Sequence, residues 1–148
     1  MRAGSPAAAA RLVADGSRHA VRALEHAVAD DPTFRDRYDE LGLRRLLNDA
    51  EVLLGAVADA VASADPSVTA HWADMGVAPY RRRRIPMDDL VTLAGGLRRS
   101  VATALDPTER AVADEALDRA IAVWRSARRL GGDARRRNRI LAAIYKGG

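Results

Sequence analysis

The 148-residue sequence predicts an all-α fold, on three observations. Apolar residues recur at intervals of three and four, four Ser-Pro or Asp-Pro pairs stand where helices begin, and no segment alternates polar and apolar residues long enough for a strand. A single domain over residues 1–148 follows, with six or seven helices in a globin-like or irregular helical bundle. Alanine dominates the 48% hydrophobic content and aromatics supply only 4%, so the helices are expected to approach closely. With no cysteine, packing alone must hold the fold.

In chain order, Ser5-Pro6 marks the first helix start, with residues 1–16 expected to fray. A weak stripe of Val21, Leu24 and Val28 defines the next helix, which would turn His19 and His26 toward water on the opposite side. After Asp31-Pro32 comes the clearest stripe, Leu43, Leu46, Leu47, Ala50, Leu53, Leu54, Val57 and Val61, opposed by Arg44, Arg45, Asp49, Glu51 and Asp59. Asp65-Pro66 opens a helix whose buried face is read as Val68, Trp72 and Met75. A further stripe runs Leu90, Leu93, Ala94, Leu97, Val101, Ala104 and Leu105; Gly95-Gly96 inside it points to a close helix crossing or a ligand. Asp106-Pro-Thr-Glu109 has capping-box spacing and begins the stripe from Val112 through Trp124 to Leu130. Gly131-Gly132 reads as a helix stop, leaving 133–148 as a separate C-terminal helix.

Charge is unevenly placed. Residues 1–74 carry 8 arginines against 12 acids, a balance of −4, and residues 75–148 carry 16 bases against 8 acids, a balance of +8. Such polarity could steer contact between copies or draw an acidic partner. Two basic clusters stand out: Arg81, Arg82, Arg83 and Arg84 after Tyr80, and Arg125, Arg128, Arg129, Arg135, Arg136, Arg137 and Arg139. Either could hold phosphates of a nucleic acid or an anionic partner, while a solvated helix face gives the same pattern. Base stacking would need more aromatics than Tyr80 and Tyr145 nearby. No run of about 18 uncharged apolar residues could span a membrane, and the N-terminus lacks a signal-peptide core, so the expected address is the cytoplasm.

Candidate chemistry is sparse, and no enzyme and no resident cofactor are expected. Asp30-Asp31 and Asp88-Asp89 are read as helix-start acids, because neighbouring carboxylates diverge by about 100° on a helix. There is no Glu-x-x-His spacing, no Gly-rich loop after a strand and no Gly-x-Ser-x-Gly elbow. His71 is the one candidate ligand: flanking Val68, Trp72 and Met75, it would sit at the core edge, where it could ligate a haem or other tetrapyrrole iron, with Trp72 and Met75 lining the pocket. The plainer alternative is a boundary histidine making one hydrogen bond.

The stretch His71 to Arg99, HWADMGVAPYRRRRIPMDDLVTLAGGLRR, resembles the middle of the helical sensor domains at the N-terminus of RsbR-type stressosome co-antagonists and related actinobacterial regulators. The likeness lies in a helix ending in basic residues, an Ile-Pro pair opening the next helix with an acid soon after, and a small-residue patch. It covers about a fifth of the chain, and Gly95-Gly96 departs from the usual pattern. The resemblance implies a non-haem, globin-like regulatory domain that dimerises through its terminal helices, signals to a protein partner and can hold an apolar ligand.

Overall fold

Helix α1 (Pro6–Ala14), α2 (Gly16–Asp30), a 3-10 helix η1 (Pro32–Arg37), α3 (Glu40–Ser63), α4 (Ser67–Arg82), α5 (Met87–Ala102) and α6 (Pro107–Lys146) follow one another along the chain. The structure is a computed structural model that describes the backbone of residues 3–146 and the side chains of residues 3–128. No strand occurs among the described residues, so the all-α class predicted from the sequence holds.

The helix starts follow cap chemistry. Ser5 Oγ accepts from the Ala8 amide with Pro6 just behind it, Asp31 accepts from Thr33, and Asp39 accepts from Gly42 at 2.7 Å. Each satisfies an amide that the helix itself leaves orphaned. Asp106 and Glu109 close a reciprocal capping box: the Glu109 amide donates to Asp106 at 2.8 Å and the Asp106 amide to Glu109 at 3.0 Å. The Asp65-Pro66 start differs from the sequence reading, and so does the place of Asp30, while the Asp31-Pro32 start holds. Pro66 stands at the N-cap and α4 begins at Ser67, whose amide Asp65 accepts. Asp30 ends α2 and Asp31 caps η1, whereas Asp88 and Asp89 do occupy the first turn of α5.

Helix ends rest on two residues with left-handed backbone, Ala64 after α3 (φ 54°) and Arg84 after α4 (φ 59°). Beyond them the Asp65 amide returns to the Ala60 carbonyl and the Ile85 amide to the Tyr80 carbonyl, the wrapped C-terminal closure that normally recruits glycine.

Both chain ends correct the sequence reading. Of the segment 1–16 expected to fray, the described residues 3–16 are docked: Ala8 and Leu12 are fully buried, and the Ser5 amide donates to the Val61 carbonyl at 2.9 Å. Gly4 lies so near the Ala62 carbonyl of α3 that any Cβ would overlap it. At the other end, α6 continues through Gly131-Gly132 to Lys146, so the described part of the expected helix 133–148, residues 133–146, is not separate from α6. Each glycine weakens the helix by about 1 kcal/mol, but the Arg- and Ala-rich residues around the pair are strong helix formers.

The core is lined by Leu12, Phe34, Leu46, Leu53, Leu54, Leu93, Leu97, Leu117 and Trp124. Helix α2 packs on α5, α5 on α6 and α6 on α4, while α3 lies against α1, α2 and α4. Stripes read from α3, α5 and α6 face this core over their described residues, with Leu43 and Leu47 half-buried at its edge. The side chain of Leu130 lies outside the described residues, and Asp49, placed on the solvent side of α3, is itself buried.

Candidate functional site

The most distinctive surface feature follows from how α2 is rotated. Its buried face is Gly16, His19, Ala20, Ala23 and Ala27, not Val21, Leu24 and Val28. Gly96 of α5 explains the rotation: a Cβ there would overlap the Ala23 carbonyl oxygen and come within 3.0 Å of its carbon, so the two helices cross backbone against backbone. Only small residues permit that approach. His19, expected in water, is 3% exposed at the same interface, with Nδ1 2.7 Å from Ser100 Oγ and Nε2 unpartnered. Burial is the largest influence on its imidazole and holds its pKa below the ordinary value, with Arg22 and Arg18 acting the same way against Asp15. His26 is half-buried.

Because alanines take the core, the larger apolar side chains of α2 stand on its flank beside α3. Val21, Leu24, Glu25 and Val28, with Arg35 after the helix and Leu43 and Leu47 from α3, line a groove of about 400 Å³. Farther along the α2/α3 crease, Val13, Ala14, Gly16, Ser17, Glu51, Leu54 and Gly55 line a second depression of about 180 Å³. Ser17 lies one helical turn from Val21 and Glu51 one turn from Leu47, so the two depressions follow one another along the crease. They form a valley with apolar walls, where Val21 is 44% exposed and Val13, at the end of α1, 61%. Spacings of four, three and four from Ser17 through Val21 and Leu24 to Val28, matched by Leu43, Leu47 and Glu51, are those of a helix-packing face.

The residues singled out in the sequence fall elsewhere. His71 and Met75 are exposed, Met75 by 67%, and only Trp72 packs inward, with its ring 6.0 Å from that of Trp124 in an edge-on arrangement. The buried face of α4 is Thr69, Ala73 and Tyr80, so the stripe read as Val68, Trp72 and Met75 is displaced by about one residue and His71 is not at the core edge. His71 lines none of the depressions described.

The cluster Arg81 to Arg84 is divided. Arg81 donates to the Ala127 carbonyl of α6, and Arg83 grips Asp49 with both terminal nitrogens at 2.9 and 3.0 Å, so two of the four charges are used within the fold. Arg82 and Arg84 face solvent. Arg125 is exposed and Arg128 pairs with Asp88; the side chains of Arg129, Arg135, Arg136, Arg137 and Arg139 lie outside the described residues.

Two buried carboxylates fasten the helix ends: Asp89, read from the sequence only as a helix-start acid, and Asp49, read as solvent-facing. Asp89 accepts from Arg37 at 2.8 and 3.1 Å and from the Tyr38 hydroxyl at 2.6 Å. Asp49 accepts from Arg83, beside Tyr80. These contacts raise the Arg37 and Arg83 pKa values, chiefly through hydrogen bonds to Asp89 and Asp49, and burial raises those of both tyrosines. Arg44, Arg45, Asn48, Asp49 and Arg83 border a shallow polar depression of about 480 Å³ there. The Asp49 bonds join α3 to the α4–α5 turn, and the Asp89 bonds join α5 to η1 and Tyr38, so both carboxylates brace the fold.

The geometry defines an all-α helical domain with an open apolar valley on one face. Comparison with family models, curated proteins and solved structures finds no match for the chain. Among the described residues no helix is long and apolar enough to cross a membrane, and no three His, Cys, Asp or Glu side chains gather as a metal site.

Proposed function

We propose that this chain is a non-catalytic regulatory or sensor domain that works by protein contact, as a homodimer that passes its signal to a protein partner. The observation that carries this reading is the α2/α3 valley, where large apolar side chains stand open while alanines fill the core behind them. Apolar walls edged by single charges are the usual composition of a protein-contact patch. The resemblance of residues 71–99 to stressosome-type sensor domains is in keeping with that role. The polar clusters around Asp49 and Asp89 are engaged in fastening helices, which favours a surface role over a catalytic one.

A photo-activated cross-linking residue placed at Val21 in the living cell tests the proposal. It is expected to yield covalent protein adducts that the same residue at exposed Arg119 on α6 does not. Equal labelling at both positions, or none at either, would remove the valley as the working surface.

A further inference from the structure

Resting on the dimeric reading, we infer where and how the two copies meet: the α2/α3 valley of one chain packs antiparallel on the same valley of a second copy, about a two-fold axis near Val21 and Leu47. Charge placement selects this occupant. Arg35 stands at the Val28 end of the valley and Glu51 at the Val13 end, and neither has an ion-pair partner among the described residues. An antiparallel pairing about Val21 sets each Arg35 toward the Glu51 of the other chain and each Glu25, the third charge lining the valley, toward the neutral Ser17. The face is thus complementary to itself, as a two-fold interface requires. A parallel pairing would oppose Arg35 to Arg35 and Glu51 to Glu51.

Gly55 is the second, independent observation. It lies in the interior of α3 at the edge of the valley, and nothing stands within 4 Å of where its Cβ would be. Glycine at such a site weakens a helix relative to alanine. No contact within the chain calls for it there, as none does at Gly95, whereas Gly4 and Gly96 are each pressed against a neighbouring carbonyl. At Gly55 the open space borders the valley, so a helix of the second copy can approach closely along α3.

The size of the face sets the strength. A 15-residue helix is about 22 Å long and two side by side span about 20 Å, roughly half of the ~800 Å² per partner in a standard interface. The dimer is therefore transient and concentration-dependent.

Sedimentation velocity of the full chain from low micromolar to near-millimolar concentration tests this. Monomer and dimer are expected in exchange, with Val21→Glu shifting the population to monomer at unchanged helicity. Arg35→Glu and Glu51→Arg should each weaken association by about threefold to tenfold, and the double exchange should restore it to within about twofold, because the pair is re-formed with its signs reversed. Dimerisation that none of these substitutions alters overturns the valley as the interface and leaves the dimeric reading standing. A strict monomer across the whole range overturns both.

Discussion

Helix α2 is packed on its two sides by opposite means. Toward α5 it offers Ala20, Ala23 and Ala27, and the helices meet at Gly96 with backbone against backbone. Toward α3 it offers Val21, Leu24 and Val28, which are larger yet leave a groove of about 400 Å³ between the helices. The separation of two helices is set by the side chains at their contact. Small residues close that gap completely; larger ones that do not interdigitate prop it open. The tight side therefore carries stability, and the open side is free to carry recognition.

The sharpest way to break this comparison is at Gly96. A Cβ there would overlap the Ala23 carbonyl, and the obstacle is backbone, so one of the helices must move. Gly96→Ala is expected to destabilise the chain by roughly 2–3 kcal/mol in urea unfolding, despite alanine's better helix propensity. The adjacent Gly95 has open space around it, so Gly95→Ala should instead stabilise by roughly 1 kcal/mol. Equal effects at the two positions would show that the crossing is not closed as described.

The same crossing predicts a pH dependence. The folded state holds the His19 pKa below its ordinary value, mainly by burial, so the unfolded chain binds the proton more readily. The stabilising contribution is complete above pH 6.5, where unfolded His19 is neutral, and is lost as the pH falls from there through the folded pKa. The charged groups acting on the ring are Asp15, Arg18 and Arg22 from its own stretch of chain, and from α5 it meets the neutral Ser100 hydroxyl. Urea unfolding between pH 7 and pH 5 should show stability falling with acid, and the double variant His19→Leu/Ser100→Ala should flatten that slope. An unchanged slope would mean that the loss arises at another group.

Legibility in the sequence followed residue size. Helices α3, α5 and α6 were readable because leucines mark their inner faces: Leu46, Leu53 and Leu54, then Leu93 and Leu97, then Leu117. The capping box at Asp106 and Glu109 was equally plain, since both partners lie three residues apart. Helices α2 and α4 were misjudged because small residues carry much of their core side, Ala20, Ala23 and Ala27 in α2 and Thr69 and Ala73 beside Tyr80 in α4, while Val21 and Met75 face outward. Alanine and glycine weigh little in a periodicity argument, so Ala23 against Gly96 could be suspected only from the Gly95-Gly96 pair. Burial of Asp49 and Asp89 depends on Arg83 and Arg37, partners 34 and 52 residues away, and no spacing rule connects them. The valley residues were read as apolar core positions; their openness is a property of two helices together and is written in neither one.

Gly55 tests the open side with a smaller effect. Alanine there meets no obstacle and removes a flexible residue from the interior of α3, so Gly55→Ala should raise the stability of the dilute monomer by about 1 kcal/mol. A destabilising result would mean that an atom of the same chain already fills the space.

The smallest expected change in stability is at Val21, and it separates the two sides of α2 most cleanly. With Val21 44% exposed, replacing it by glutamate leaves the carboxylate in water and exchanges a β-branched residue for a better helix former. Val21→Glu should therefore unfold in dilute solution within about 0.5 kcal/mol of the parent chain, as surface substitutions do. Ala23→Glu, two positions along the same helix but at a fully buried site against α5, should not fold at all, because its carboxylate would be buried without a partner. Thermal melts of the pair measure the comparison directly: a large loss at Val21 would mean that the valley is core, and recognition would then have to be sought on another face.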